Sequence, residues 1–335
     1  MGGNRFAVET LRMSAATFEE ISCGANGALR TLGFPRVLRV EPLRSKSSHG
    51  DIDLLVDADV FNAFGIDAVA DALGAARYAR NGQNDRTPSF LIETREGVHQ
   101  LDLTLCAEGT ITFNARLLAW GDAGALLSMM ARGMGLNLAN DALKLRTGDR
   151  RQLIKVPMIS DFDRALEAMG LDPRPHREGF DNEGEVFEWL ASGANFEPDS
   201  FALESMTNAG RKRSSSRKMQ NAFREYISGL ERRWALPEPG DDRGWEAYWK
   251  GLYPDVVECE VVLRAGHEAK IRRRSVLDSA EISQVTGLEG NSLRYMIHSL
   301  TKDALGQAAI SSGDKDLLLE RASILRLEMV DECLA

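Results

Sequence analysis

The stretch RSKSSHGDIDLLVD (44–57) sets two carboxylates, Asp51 and Asp53, two residues apart at the start of an apolar run. In a strand, residues i and i+2 point to the same face, so the pair would stand side by side. Like charges at that spacing repel unless a cation lies between them. Hard divalent cations take oxygen ligands, and magnesium uses one or two carboxylates together with substrate phosphates. Two such ions about 3.5–4 Å apart activate an attacking hydroxyl and stabilise the leaving oxygen of a phosphoryl displacement. A third acid, Asp102, lies in HQLDLTLC (99–106), where Leu101, Leu103 and Leu105 alternate with Asp102 and Thr104. If the two strands are neighbours, all three acids converge. The turn ahead of Asp51 suits phosphate. Arg44 and Lys46 bring charge, while Ser47, Ser48 and the Gly50 amide can donate hydrogen bonds. The competing reading is an acidic strand edge behind a polar hairpin, with no ligand.

Several elements must position these residues. Apolar positions Phe6, Leu11, Phe18, Ile21 and Leu29 predict a helix over 7–33, closed by Gly33-Phe34-Pro35. Strands are expected at 37–43 and 51–56 and a helix at 60–78. Further strands at 89–94 and 99–106 flank the turn Arg95-Glu96-Gly97. From 115 to 147 the pattern reads helical with glycine interruptions, and a β-prone piece follows at 153–159. Ser160 or Asp161 caps the next helix and Gly170 stops it. Beyond 180 the pattern is helical, broken by a loop at 237–244. The expected fold is α/β, a mixed sheet with flanking helices, followed by a mostly α-helical C-terminal region.

Bulk properties narrow the function classes. With 335 residues, 43% hydrophobic and 27% charged, the chain has the composition of a soluble globular protein with room for two or three domains. No run approaches the roughly 20 apolar residues of a membrane helix, and the opening MGGNRFAVETLRMS lacks a signal-peptide core, so a cytoplasmic location is expected. Cys23, Cys106, Cys259 and Cys333 show no CxxC spacing and read as buried free thiols. A net charge of −9 argues against general attraction to nucleic acid. Positive charge is nevertheless concentrated in RKRSSSRK (Arg211–Lys218) and KIRRR (Lys270–Arg274). The first run, through Arg211, Lys212, Arg213, Arg217 and Lys218, is the candidate phosphate contact, with a solvated helix start as the alternative. Trp234, Trp245, Tyr248, Trp249 and Tyr253 have the helical spacing of core residues rather than of a base-stacking platform. The histidines form no ligand set, and only His49 flanks the acidic turn.

GDIDLLV followed by the later acid of LDLTL resembles the nucleotidyltransferase signature of the DNA polymerase beta superfamily. Across 40–178 the order of parts is similar to family X polymerases. The basic turn with SSHGDID and the third-Asp strand come first. A glycine-interrupted stretch, a short β piece and SDFDRALEAMGLDPRPHRE (160–178) follow. The resemblance implies a nucleotidyltransferase palm over 1–118, a thumb-like nucleotide-binding subdomain over 119–180 and a helical region over 181–335 that binds nucleic acid. It implies that Asp51, Asp53 and Asp102 hold two Mg²⁺ or Mn²⁺ ions, with Asp102 also the base toward a primer 3′-hydroxyl. It places Arg44 on the triphosphate, Ser48 and Gly50 in the phosphate turn, and Asn137, Asn140 and Asp141 around the incoming nucleotide. The implied reaction is transfer of a nucleotide from an NTP or dNTP to a nucleic-acid 3′-hydroxyl with release of pyrophosphate.

This sequence departs from that pattern in three places. Val40-Glu41 replaces the Gly-Ser that opens the phosphate turn, and Glu41 is a poor phosphate partner. Leu118-Ala119-Trp120-Gly121 replaces the Tyr-Phe-Thr-Gly segment that crowds the sugar. The residues ahead of Val37 do not supply the lyase and helix-hairpin-helix elements. Residues 275–325 are similar to the tail of bacterial tRNA nucleotidyltransferases, although the GG-x-V-R-D motif of their catalytic head is absent. The alternatives are therefore a tRNA 3′-end or RNA-tailing enzyme, a non-catalytic nucleic-acid-binding module and a protein-modifying nucleotidyltransferase.

Overall fold

The structure, a computed structural model, describes residue 6 and residues 10–80, 85–148, 153–233, 236 and 242–334. The chain forms two compact units, residues 1–253 and 254–335. In the first unit the elements begin with β1 (Met13–Ser14), α1 (Ala15–Leu32), β2 (Val37–Arg39), β3 (Ser48–His49) and β4 (Asp51–Asp57). Next come α2 (Ala58–Phe64), α3 (Ile66–Leu73), β5 (Arg77–Ala79), β6 (Ser89–Thr94) and β7 (Gly97–Cys106). Strands β2-β4-β7-β6-β5 form one mixed sheet in which β4 and β7 are parallel and the other pairs antiparallel.

Two helices differ from the expected ones. The first begins at Ala15 rather than residue 7, because Ser14 caps it through Thr17 and Met13 is drawn into pairing with His49. Leu11, expected on the buried face, is exposed, and its backbone N–H reaches the Val98 carbonyl. The helix expected at 60–78 is interrupted at Gly65 (φ 82°) and ends at Gly74 (φ 61°), leaving Arg77–Ala79 to form an edge strand. Glycine at those backbone angles carries no Cβ penalty.

The sheet has two unlike faces. Ile52, Leu54, Val56, Leu101, Leu103, Leu105 and Phe90 pack with Phe18, Ile21 and Leu29 of α1 and with Phe61 and Val69, forming the main core. On the opposite face Leu55, Cys106 and Ile111 make a smaller cluster with Leu38, Val40 and Ala115. By strand alternation Asp51, Asp53 and Asp102 belong to this second face.

The chain continues through α4 (Ile111–Leu118), α5 (Ala123–Gly133), β8 (Leu136–Leu138), β9 (Leu143–Thr147) and β10 (Ile154–Ile159). The last three form an antiparallel sheet, β10-β9-β8. The helical expectation for 115–147 is thus corrected after Gly133. Leu136, Leu138, Leu143 and Leu145 alternate with polar residues and are all buried, which is a strand period. Then follow α6 (Phe162–Ala168), capped by Asp161, α7 (Pro173–Glu178) and α8 (Glu183–Ala191). The unit closes with α9 (Asn208–Ser214), α10 (Lys218–Tyr226) and α11 (Asp242–Leu252). Trp245 and Trp249 are core residues, and the Trp249 indole donates to the Met134 carbonyl at 2.8 Å. Trp234 and most of the loop expected at 237–244 lie outside the described residues.

The second unit is helical: α12 (Asp255–Val276), α13 (Ser279–Thr286), α14 (Gly290–Leu300), α15 (Ala304–Ser312) and α16 (Lys315–Leu334). Its core gathers Ile282, Met296, Leu300, Ala309, Leu318 and Ala322. Arg321 pairs with Asp303 at 2.9 Å. The side chains of Lys270 and Arg272–Arg274 in the second basic run, and that of Cys333, lie outside the described residues. Of the thiols expected to be buried, Cys106 is, whereas Cys23 and Cys259 are exposed. No helix of the described residues is long and apolar enough to cross a membrane.

Candidate metal and nucleotide site

The parallel pairing of β4 and β7 puts Asp53 directly beside Asp102, and Asp51 beside Gln100. One carboxylate oxygen from each of Asp51, Asp53 and Asp102 lies within 4.8 Å of the others. Three acids so close cannot all ionise freely. Burial, reinforced by the charges of Asp51 and Asp102, pushes Asp53 up to about 7, while Lys46 pulls it down. The Gln100 side-chain nitrogen reaches both oxygens of Asp102, at 2.9 and 3.0 Å. Across the sheet, Ser89 is the cross-strand partner of Asp102. It is fully buried, and among the described residues its hydroxyl has no hydrogen-bond partner. An all-oxygen donor set, excess negative charge and an unpartnered hydroxyl beside it fit a hard divalent cation such as Mg²⁺ or Mn²⁺.

No protein-family model matches the chain, and no curated protein matches it. Function must be read from the residues and their geometry.

The turn before Asp51 is held from two directions. Arg12 donates to the Ser48 hydroxyl at 2.8 Å and to the Ser48 carbonyl at 2.7 Å, while β3 pairs with β1. His49 is buried and stacked on Phe18, with ring centroids 4.0 Å apart. Burial, followed by the nearby Lys46 charge, lowers its pKa, so it packs as a neutral ring, and among the described residues the acidic cluster does not include it. On the other side the backbone N–H groups of Arg44 and Ser45 donate to the Phe180 and Asp181 carbonyls at 3.1 and 2.9 Å. The Arg44 guanidinium donates to the Glu178 carbonyl and lies 3.5 Å from Asp181. The segment ending at residue 178 is thereby bolted to the phosphate-type turn.

Between these supports lies a cavity of about 420 Å³ whose charged lining is Arg39, Arg44, Lys46 and Arg177 with Glu19 and Glu41. Arg39 bridges the two glutamates, at 2.6 Å to Glu19 and 3.1 Å to Glu41. Glu41, unfavourable to phosphate on sequence grounds, is therefore partly offset by a guanidinium that it shares with Glu19. Trp120 also lines the cavity and is the sole non-glycine residue at positive φ among the described residues, at 65°. Its backbone N–H donates to the Glu41 carbonyl at 2.8 Å and its indole to the His176 carbonyl at 3.1 Å. Its ring leaves no room for a side chain at residue 179, where a Cβ on Gly179 would come within 2.5 Å of it.

Other expected site residues stand apart. Asn137 is on β8, Asn140 and Asp141 are on the β8–β9 hairpin, and Asp141 pairs with Lys144 at 2.7 Å. Among the described residues no hydrogen bond or ion pair links them to the acids. Ser47 is exposed on the turn. In the first basic run, Arg211 donates to Asn208 and Arg217 pairs with Asp122 at 3.1 Å. Lys212, Arg213 and Lys218 are exposed. Arg12, Arg39, Gln100, Ser89 and Arg177 went unnoticed in the sequence. Alternation along 99–106 could have found Gln100, since it shares a face with Asp102. Nothing in the sequence links Arg12 to Ser48.

Proposed function

We propose that this chain is a divalent-metal-dependent nucleotidyltransferase. It would join a nucleotide from an NTP or dNTP to a nucleic-acid 3′-hydroxyl and release pyrophosphate. The observation that carries the reading is the in-register pairing of Asp53 with Asp102, which gathers three acids, two of them on the strand that follows a basic turn. Two bound ions would supply charge neutralisation and activation of the attacking hydroxyl. The chain's own residues do the rest by positioning and electrostatics. Arg44, Lys46 and Arg177 attract the polyphosphate, and Arg39 offsets part of the opposing charge of Glu19 and Glu41. Asp51 and Asp53 follow the turn directly on β4, close enough for the Lys46 charge to act on Asp53. A carboxylate oxygen of Asp102 accepts the proton of the acceptor hydroxyl. The exposed Lys212, Arg213 and Lys218 suit the acceptor's phosphates.

Primer extension tests this directly. Labelled single-stranded DNA, templated DNA and a tRNA lacking its 3′ end are incubated with Mg²⁺ or Mn²⁺ and each nucleotide, with Asp53→Asn as control. Incorporation that the control abolishes supports the reading. Template-directed dNTP addition would point to a family X-like polymerase, and CTP or ATP addition to the tRNA to an RNA-tailing enzyme. No incorporation on any acceptor would sink nucleic-acid extension and turn attention to protein acceptors.

A further inference from the structure

We infer that Gln100 is a positioning residue that presents Asp102 to a divalent cation, an inference that rests on the metal reading above. Gln100 and Asp102 are two apart on β7 and so share a face. The amide nitrogen is nearly equidistant from the two Asp102 oxygens, at 2.9 and 3.0 Å. Gln100 is buried, which restricts its rotamers. Its register partner on β4 is Asp51, so the amide belongs to the acidic row rather than to the apolar core. Ser89, directly across from Asp102, makes no hydrogen bond to it among the described residues.

The chemistry of the donor matters. A lysine or arginine here would cancel one of the charges a cation needs. A neutral amide orients the carboxylate and leaves its charge in place. The amide has two protons and faces both oxygens, so it can keep hold of one oxygen when the other is given to a cation. Outer-shell donors of this kind typically change metal affinity by about 10–100-fold.

The test is Mn²⁺ binding, followed by calorimetry and by loss of the free-ion electron paramagnetic resonance signal, with no nucleotide present. Gln100→Met keeps the length of the side chain and removes the donor. It is expected to weaken Mn²⁺ binding by about 10-fold or more. In an Asp102→Asn background the same substitution should have no further effect, which a merely structural role would not predict. Unchanged affinity overturns the inference. Tighter binding also overturns it, because Gln100 would then compete with the cation for Asp102. If the methionine variant does not fold, Gln100→Asn replaces it: the amide is drawn back by one methylene, and the same loss of affinity is expected. If the wild-type protein takes up no Mn²⁺ that Asp53→Asn abolishes, the metal reading itself has failed, and that outcome is distinct from the others.

Discussion

The two faces of the five-stranded sheet are built from alternate residues of the same strands, yet they have opposite energetics. On the α1 side Ile52, Leu54, Leu101 and Leu103 are wholly buried and each contributes transfer energy and packing. One residue along, Asp51, Asp53 and Asp102 crowd together, and one of them is held half-protonated near neutrality. The backbone hydrogen bonds are common to both. What differs is that one face stabilises the strands and the other draws on that stability to hold like charges together. Strained arrangements of this sort persist where the surroundings over-determine them, which is the usual condition of a reactive centre.

The contrast can be broken from either side. The largest effect is expected on the acidic face: Asp53→Asn should reduce nucleotide transfer by on the order of 10³-fold, read in the primer-extension assay, while the fold survives. On the apolar face, Leu103→Ala should cost about 2–5 kcal/mol in urea unfolding and leave the Mn²⁺ affinity of the folded fraction unchanged. A loss of affinity as large as that of Asp53→Asn would show that the faces are not separable.

The pH dependence sharpens the same contrast. Asp53 is raised from 3.8 to about 7 in the folded chain. The unfolded state therefore loses its proton first, so the stability lent by protonation is complete below about 4 and is lost progressively as pH rises to about 7. Metal-free protein should lose stability as pH rises from about 4 to about 7, by about 2–3 kcal/mol between pH 5 and pH 8. The urea midpoint measured at pH 5 and pH 8 checks this, and Asp53→Asn should remove most of the difference. Saturating Mg²⁺ should restore stability at pH 8, by about 2.7 kcal/mol at a hundredfold excess over Kd, and do much less at pH 5.

The smallest effect concerns the basic run. Exchanging Lys212, Arg213 or Lys218 for Ala should each lower the logarithmic salt slope of DNA binding by about 0.9, with transfer to a saturating acceptor unchanged. A slope that does not move would assign this basic run, across α9 and the start of α10, to solvent.

Much of the acidic face was legible because a period of two is hard to hide: DIDLL and LDLTL each declare which residues share a side. That the strands pair in parallel, and in a register that sets Asp53 against Asp102, was not legible, since it depends on the helices and strands between them. The misread stretch was 136–147, where Leu-rich sequence next to a true helix kept the look of a helix until burial revealed alternation. Glu41 shows a different limit: its pairing with Arg39, two residues earlier on the same side, was not read from the sequence. The cap at Asp161 and the stop at Gly170 were local signals read correctly, whereas the cap at Ser14 and the breaks at Gly65 and Gly74, equally local, were passed over. Arg12 and Ser48 are joined only by the fold.

Parallel pairing of β4 with β7 has a consequence in time. Helices α2 and α3 and strands β5 and β6 lie between them in the chain, so the acids cannot meet until that whole crossover has closed. While the chain is being made, Asp51 and Asp53 precede Asp102, and the apolar side of β4 can begin to settle on α1 before the third charge exists. The electrostatic cost of the site thus falls late on the folding path, after most of the core that must bear it has formed. A cation that relieves this cost would act mainly on the finished structure, lengthening its lifetime more than hastening its arrival.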